Sequence, residues 1–126
     1  MNIVMKKKKI LVIDDEEDFG FLMKSFFTPR NFEVYVALTL IEGMRMLKEE
    51  LPDVIFLDNN LPDGLGWGQT EFILANYPLT QLNLISALNI PKTSSDSFRI
   101  LEKPLRWEEL KGMFGVDFVS PLIADQ

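Results

Sequence analysis

Four short, largely apolar runs in this 126-residue chain lead into residues with chemistry to offer. Ile10-Leu11-Val12-Ile13 runs into Asp14 and Asp15, and Val54-Ile55-Phe56-Leu57 runs into Asp58. Leu82 to Ile85 runs into Ser86, and Phe98 to Leu101 is followed closely by Lys103-Pro104. An Asp after a strand is ordinary turn chemistry when it occurs alone. Five such positions together describe three carboxylates, one hydroxyl and one ammonium converging on one edge of a sheet. Two unit charges about 5 Å apart at an effective dielectric near 20 repel by roughly 3 kcal/mol, so clustered carboxylates need an offset. Lys103 supplies one positive charge. A divalent cation with a preference for oxygen ligands, Mg²⁺, supplies two more.

The rest of the composition narrows the chemistry to this set. The chain has no Cys, which excludes disulfides, thiolate nucleophiles and cysteine-ligated metal centres. It has no His, which removes the commonest general base and every Ser-His pair. Thirteen basic and 19 acidic residues give a formal net charge of −6, with no bulk attraction for a nucleic-acid backbone. Apolar residues make up 47% and charged residues 25%, the balance of a globular domain. The length predicts one domain spanning 1–126. Lys6 to Lys9 precede an apolar run of only four residues, too short for a secretory segment, and read as a solvated lead-in to a strand. No stretch is long enough to span a membrane. The chain reads as cytoplasmic.

The elements that must place these groups alternate. Ile10–Ile13 and Val54–Leu57 are continuous runs of β-favouring residues, the pattern of strands buried on both faces. Phe19, Leu22, Met23, Phe26 and Phe27 recur at helical spacing before Pro29. Glu33 to Ala37 reads as a second strand. Thr39 and Glu42 have capping-box spacing, opening a helix that carries Ile41, Met44 and Leu47 inward. A Pro- and Gly-containing loop from Asn59 to Gly66 leads to a helix over about Trp67 to Asn76, and Pro78 stops it. Leu82–Ile85 and Phe98–Leu101 are the fourth and fifth strands, and Trp107, Leu110 and Met113-Phe114 mark a last helix. The expected fold is α/β: an open five-stranded parallel sheet of order 2-1-3-4-5 with helices on both faces. Ligands of such sheets sit beyond the carboxyl ends of the strands.

Lys9-Ile10-Leu11-Val12-Ile13-Asp14-Asp15-Glu16, Leu57-Asp58-Asn59-Asn60-Leu61-Pro62-Asp63-Gly64, Ile85-Ser86-Ala87 and Glu102-Lys103-Pro104 occur in an order and spacing that resembles the response-regulator receiver domain of two-component signalling. The resemblance covers about 7–114. It implies that Asp58 is the phospho-acceptor, Asp15 a direct Mg²⁺ ligand, and Asp14 the acid that holds metal-bound water. It implies that Asn60 offers its main-chain carbonyl to the metal. Ser86 matches the switch hydroxyl, Ala87 its small neighbour, and Lys103 the lysine that pairs with acceptor or phosphoryl oxygens, before a proline whose preceding bond is cis in the family. The implied protein is a phosphoryl acceptor that assists its own phosphorylation and dephosphorylation rather than a turnover enzyme. The implied partners are a sensor histidine kinase or a histidine phosphotransfer protein.

Departures from the family's pattern matter as much. The position of the usual switch aromatic, three residues before Lys103, is Ile100. Phe98 shares its face by strand alternation. The stretch from Ser86 to Lys103 is short and contains Pro91, which predicts a fourth helix that is shortened or absent. The readout would then run through a rebuilt surface such as the Ala87–Ser97 loop. The tail after Gly115 holds Val116, Phe118, Val119, Leu122 and Ile123, which need cover. They would pack where that helix is missing, or against a partner chain, a homodimer included.

Three alternatives stay open on the residues. One is a degenerate receiver that acts as a phosphorylation-independent interaction module. Another is a phosphohydrolase with an aspartyl nucleophile, although Asp14-Asp15 lacks the two-residue spacing usual on its first strand. The last is a flavin carrier, which would need a hydroxyl-rich phosphate loop where this chain has Asp14 to Asp18.

Overall fold

The computed structural model of the chain describes residues 6–87 and 95–114. Its strands are β1 (Lys8–Ile13), β2 (Phe32–Ala37), β3 (Val54–Asp58), β4 (Gln81–Ser86) and β5 (Phe98–Glu102). The α-helices are α1 (Glu17–Phe27), α2 (Leu40–Glu50), α3 (Thr70–Asn76) and α4 (Trp107–Phe114). All five strands pair in parallel in the order β2-β1-β3-β4-β5, as the sequence predicts. A short antiparallel ribbon, Asn60–Leu61 with Gly64–Leu65, follows β3.

Alternation along the central strands divides the core in two. Ile10, Val12 and Phe56 face one layer with Phe19, Met23, Phe26 and Phe27 of α1 and Leu110 and Phe114 of α4. Leu11, Ile13, Ile55 and Leu57 face the other, with Leu47 of α2 and Ile73 of α3. Edge-to-face rings fill the first layer, Phe27 against Phe26, Phe32 and Phe114. The chain leaves β1 toward β2 on one side and β3 on the other. The carboxyl ends of β1 and β3 are therefore the crevice where a doubly wound sheet opens.

The capping box is present: the Thr39 side chain accepts a hydrogen bond from the Glu42 N–H. One inward expectation fails. Ile41 is 75% exposed, and the buried residues of α2 are Gly43 and Leu47. A side chain on Gly43 would collide with Ile13, so the missing side chain lets α2 lie down on β1. The third helix also starts later than expected. Gly66–Gln69 form a 3₁₀ turn, and α3 begins at Thr70. Residues 88–94 and 115–126 lie outside the described residues, and with them most of the shortened-helix expectation and the whole of the apolar tail.

Candidate functional site

β1 and β3 each deliver a carboxylate at the same height because they are in register, Ile13 opposite Leu57. Asp14 follows directly from β1 and is fully buried. Its backbone N–H donates to the Ala37 carbonyl (3.0 Å), its Oδ1 accepts from the Glu16 N–H (2.8 Å), and its Oδ2 lies 2.7 Å from Lys103 Nζ. That last contact is an ion pair without hydrogen-bond alignment. Asp58 closes β3 and is almost fully buried, whereas Asp15 is exposed. One carboxylate oxygen from each of Asp14, Asp15 and Asp58 lies within 4.8 Å of the others.

Burial raises the Asp58 carboxyl from its usual 3.8 to about 6, with the charges of Asp14 and Asp15 adding to the shift. Lys103 and a hydrogen bond from the Asn60 backbone oppose it. Asp14 is raised too, chiefly by burial, against the opposing pull of Lys103. Asp58 remains ionised at pH 7, in a crowded site that favours a counter-cation.

β4 and β5 bring the other two groups. Asp58 is paired in register with Ile85, so Ser86 stands one residue further along the neighbouring strand, and it is buried. The Lys103 N–H donates to the Ser86 carbonyl (2.8 Å), which ties the end of β5 to the end of β4. The Lys103–Pro104 peptide bond is cis. Lys103 Nζ lies 2.6 Å from Glu16 Oε1 and 3.8 Å from Asp58 Oδ1, with the Phe19 ring 4.9 Å away. Asn60 is exposed, two residues past Asp58, and heads the short ribbon.

The structure thus gathers Asp14, Asp15, Asp58 and Lys103, with Ser86 and Asn60 alongside. The residues that fasten the loop after Asp58 carried no signal in the sequence. Gly66 lies against the Asp58 carbonyl, and its N–H donates to the Asn59 carbonyl (2.8 Å). The Trp67 N–H donates to Asn59 Oδ1 (3.1 Å) and its indole N–H to the Leu57 carbonyl (3.2 Å). Both Asp63 carboxylate oxygens accept from the start of α2, at Leu40 N (2.7 Å) and Ile41 N (2.9 Å). Glu16, quoted in sequence only as part of a motif, is an ion-pair partner of Lys103. A glutamate one residue before a helix carries no sequence signal for a lysine 87 positions away.

Phe98 and Ile100 are both half-buried on the α2/α3 face of the sheet, sharing a side as alternation predicts. Among the described residues, no helix is long and apolar enough to cross a membrane.

A family model described as "Response regulator receiver domain" matches residues 10–114. The chain is 30% identical over 124 residues to the "Autoinducer 2 sensor kinase/phosphatase LuxQ" of Vibrio parahaemolyticus, covering 94% of this chain and 14% of that one. It is 27% identical to the "Response regulator protein PilR" of Pseudomonas aeruginosa, covering 80% of this chain and 24% of that one. It therefore spans less than a quarter of either relative. Its backbone is similar to a CheY-like response regulator receiver domain from Methanospirillum hungatei, with a TM-score of 0.73, 20% identity, and coverage of 90% and 94% of the two chains.

Proposed function

The chain belongs to the response regulator receiver domain family, a signalling domain of two-component systems, and we propose that Asp58 is the residue through which it is phosphorylated. The observation that carries this reading is the convergence of Asp14, Asp15 and Asp58 within 4.8 Å, with Lys103 at the same edge. Carboxylates at that spacing, two of the three buried, repel and are not a device for stability.

The donor set fits a hard divalent cation: carboxylate oxygens from Asp14, Asp15 and Asp58 lie together, and the family resemblance would add the Asn60 main-chain carbonyl. A bound Mg²⁺ supplies the two positive charges that offset the carboxylates and an incoming phosphoryl group. Asp58 attacks as the carboxylate, so no general base is required. An Asp58 Oδ–P bond forms as the donor's N–P bond breaks, and that bond's electron pair stays on the donor imidazole. Lys103 and the Ser86 hydroxyl meet the phosphoryl oxygens. Ser86 ends β4 and is joined through the Lys103 N–H to β5, so its movement toward those oxygens pulls on both strand ends.

These 126 residues hold no histidine, so the donor imidazole lies outside them, on a sensor histidine kinase or a histidine phosphotransfer protein. The name of the similar LuxQ chain, a sensor kinase/phosphatase, supports that class. Output runs through protein contacts. A phosphorylation-independent interaction module would have no use for the buried Asp14–Lys103 pair facing Asp58. Incubation with acetyl phosphate and Mg²⁺, followed by intact-mass measurement, tests the reading. One added phosphoryl group, lost in Asp58→Ala and without Mg²⁺, is expected; an unchanged mass overturns it.

A further inference from the structure

Lys103 is the one cation within ion-pair reach of Asp58 among the described residues, and it is not seated on Asp58. Its ammonium sits 2.6 Å from Glu16 Oε1 and 2.7 Å from Asp14 Oδ2, against 3.8 Å from Asp58 Oδ1. The Phe19 ring stands on another side. Three partners thus hold the ammonium, two of them closer than Asp58.

Glu16 is unusual among them. Asp14 is fully buried, but the Glu16 side chain is 58% exposed while that of Lys103 is 10% exposed. Its backbone is nonetheless fixed at both ends. The Glu16 N–H donates to Asp14 Oδ1, and its carbonyl accepts from Phe19 N (3.1 Å) and Gly20 N (3.3 Å) at the start of α1. A pinned backbone with a solvated carboxylate makes a partner that can be given up cheaply. A carboxylate in water loses little when its ion pair breaks, whereas separating the two buried groups, Asp14 and Lys103, costs much more.

We propose that Glu16 is a positioning residue that holds Lys103 on the Asp14 side of the site at rest and is exchanged for phosphoryl oxygens when Asp58 is modified. This rests on Asp58 being the acceptor. Glu16 touches neither Asp58 nor the transferred group. It acts by occupying a proton donor that the product needs, so it sets how readily Lys103 becomes available. Removing its charge leaves Lys103 with Asp14 and frees one N–H of the ammonium for a phosphoryl oxygen or its analogue.

The test compares the wild type with Glu16→Gln and with Glu17→Gln, which removes a neighbouring exposed charge whose group is not within ion-pair distance of Lys103. In Mg²⁺-free buffer, the ¹H–¹⁵N signal of the Lys103 ammonium is expected to shift in Glu16→Gln and to stay in place in Glu17→Gln. With saturating Mg²⁺, the beryllofluoride Kd is expected to tighten about 2–5-fold in Glu16→Gln, the range of one exposed ion pair. Glu17→Gln is expected to change it by less. An unmoved Lys103 signal and Kd in Glu16→Gln, or equal changes in both variants, overturns the proposal. Wild type that binds no beryllofluoride at all overturns the acceptor reading and this inference with it, and is thereby distinguished from failure of the Glu16 role alone.

Discussion

Gly66 is pressed against the main chain of Asp58: a side chain there would overlap the Asp58 carbonyl oxygen and crowd Leu57. The glycine is what allows the loop after β3 to fold back against Asp58, where Gly66 and Trp67 bond to Asn59. Gly66→Ala is expected to destabilise the fold by about 3 kcal/mol, because the obstacle is backbone and cannot rotate away. Denaturant melts measure the stability, and beryllofluoride titration should show weaker binding as Asp58 is displaced. Unchanged stability would mean the loop has another path.

The metal-free site has a pH dependence with a definite sign. Asp58 releases its proton near 3.8 when unfolded and at about 6 when folded. Between those values the folded state holds a proton that the unfolded state has lost, so this group's contribution makes stability fall as pH rises through the window. Asp58→Asn should remove that fall. In chelator at pH 7 it should be more stable than wild type by on the order of 1–3 kcal/mol. Denaturant melts of both chains at pH 4.5 and 7 measure the difference, and a variant less stable than wild type at pH 7 would contradict it.

Magnesium should reverse that penalty. At ten times its dissociation constant, Mg²⁺ is expected to stabilise the wild type by about 1.4 kcal/mol, with affinity weakening below pH 6 as Asp58 takes up its proton. Thermal melts across a Mg²⁺ series, repeated at pH 5 and 7.5, read both effects. Equal shifts in wild type and Asp58→Asn would place the ion elsewhere.

Asp63 ties the loop after β3 to α2 by accepting from both Leu40 N and Ile41 N, and those bonds hold its carboxyl below the usual range. Asp63→Ala is expected to lower Tm by a few degrees, as loss of a helix cap does, and Asp63→Asn should recover part of the loss. Amide exchange at Leu40 and Ile41 should speed up in Asp63→Ala; unaltered exchange there would contradict the tie.

Much of this arrangement was legible in the sequence. Strands buried on both faces leave uninterrupted runs such as Val54–Leu57, and a parallel sheet puts the residue after each run at one edge, which located Asp14, Asp58 and Ser86. What was illegible depends on contacts between segments far apart in sequence. Ile41 looks inward by helical spacing from Met44, but Gly43 sets the face because only the smaller residue allows α2 to rest on Ile13. The anchoring of Trp67 on Leu57 and Asn59 places a large aromatic beside the site, where sequence spacing shows only a helix start. Glu16 follows β1 and Lys103 follows β5, with β3 and β4 between those strands, so the two meet only through the reach of their long side chains across the sheet's carboxyl edge.

Asp58 itself is predicted to carry the acyl phosphate. Borohydride reduction of the acetyl-phosphate-treated protein, followed by peptide mass mapping, converts a phosphorylated aspartate to homoserine and so marks its position. Homoserine at position 58 is the predicted result. Homoserine at 14 or 15, or at no position in a chain that has gained a phosphoryl group, would contradict it.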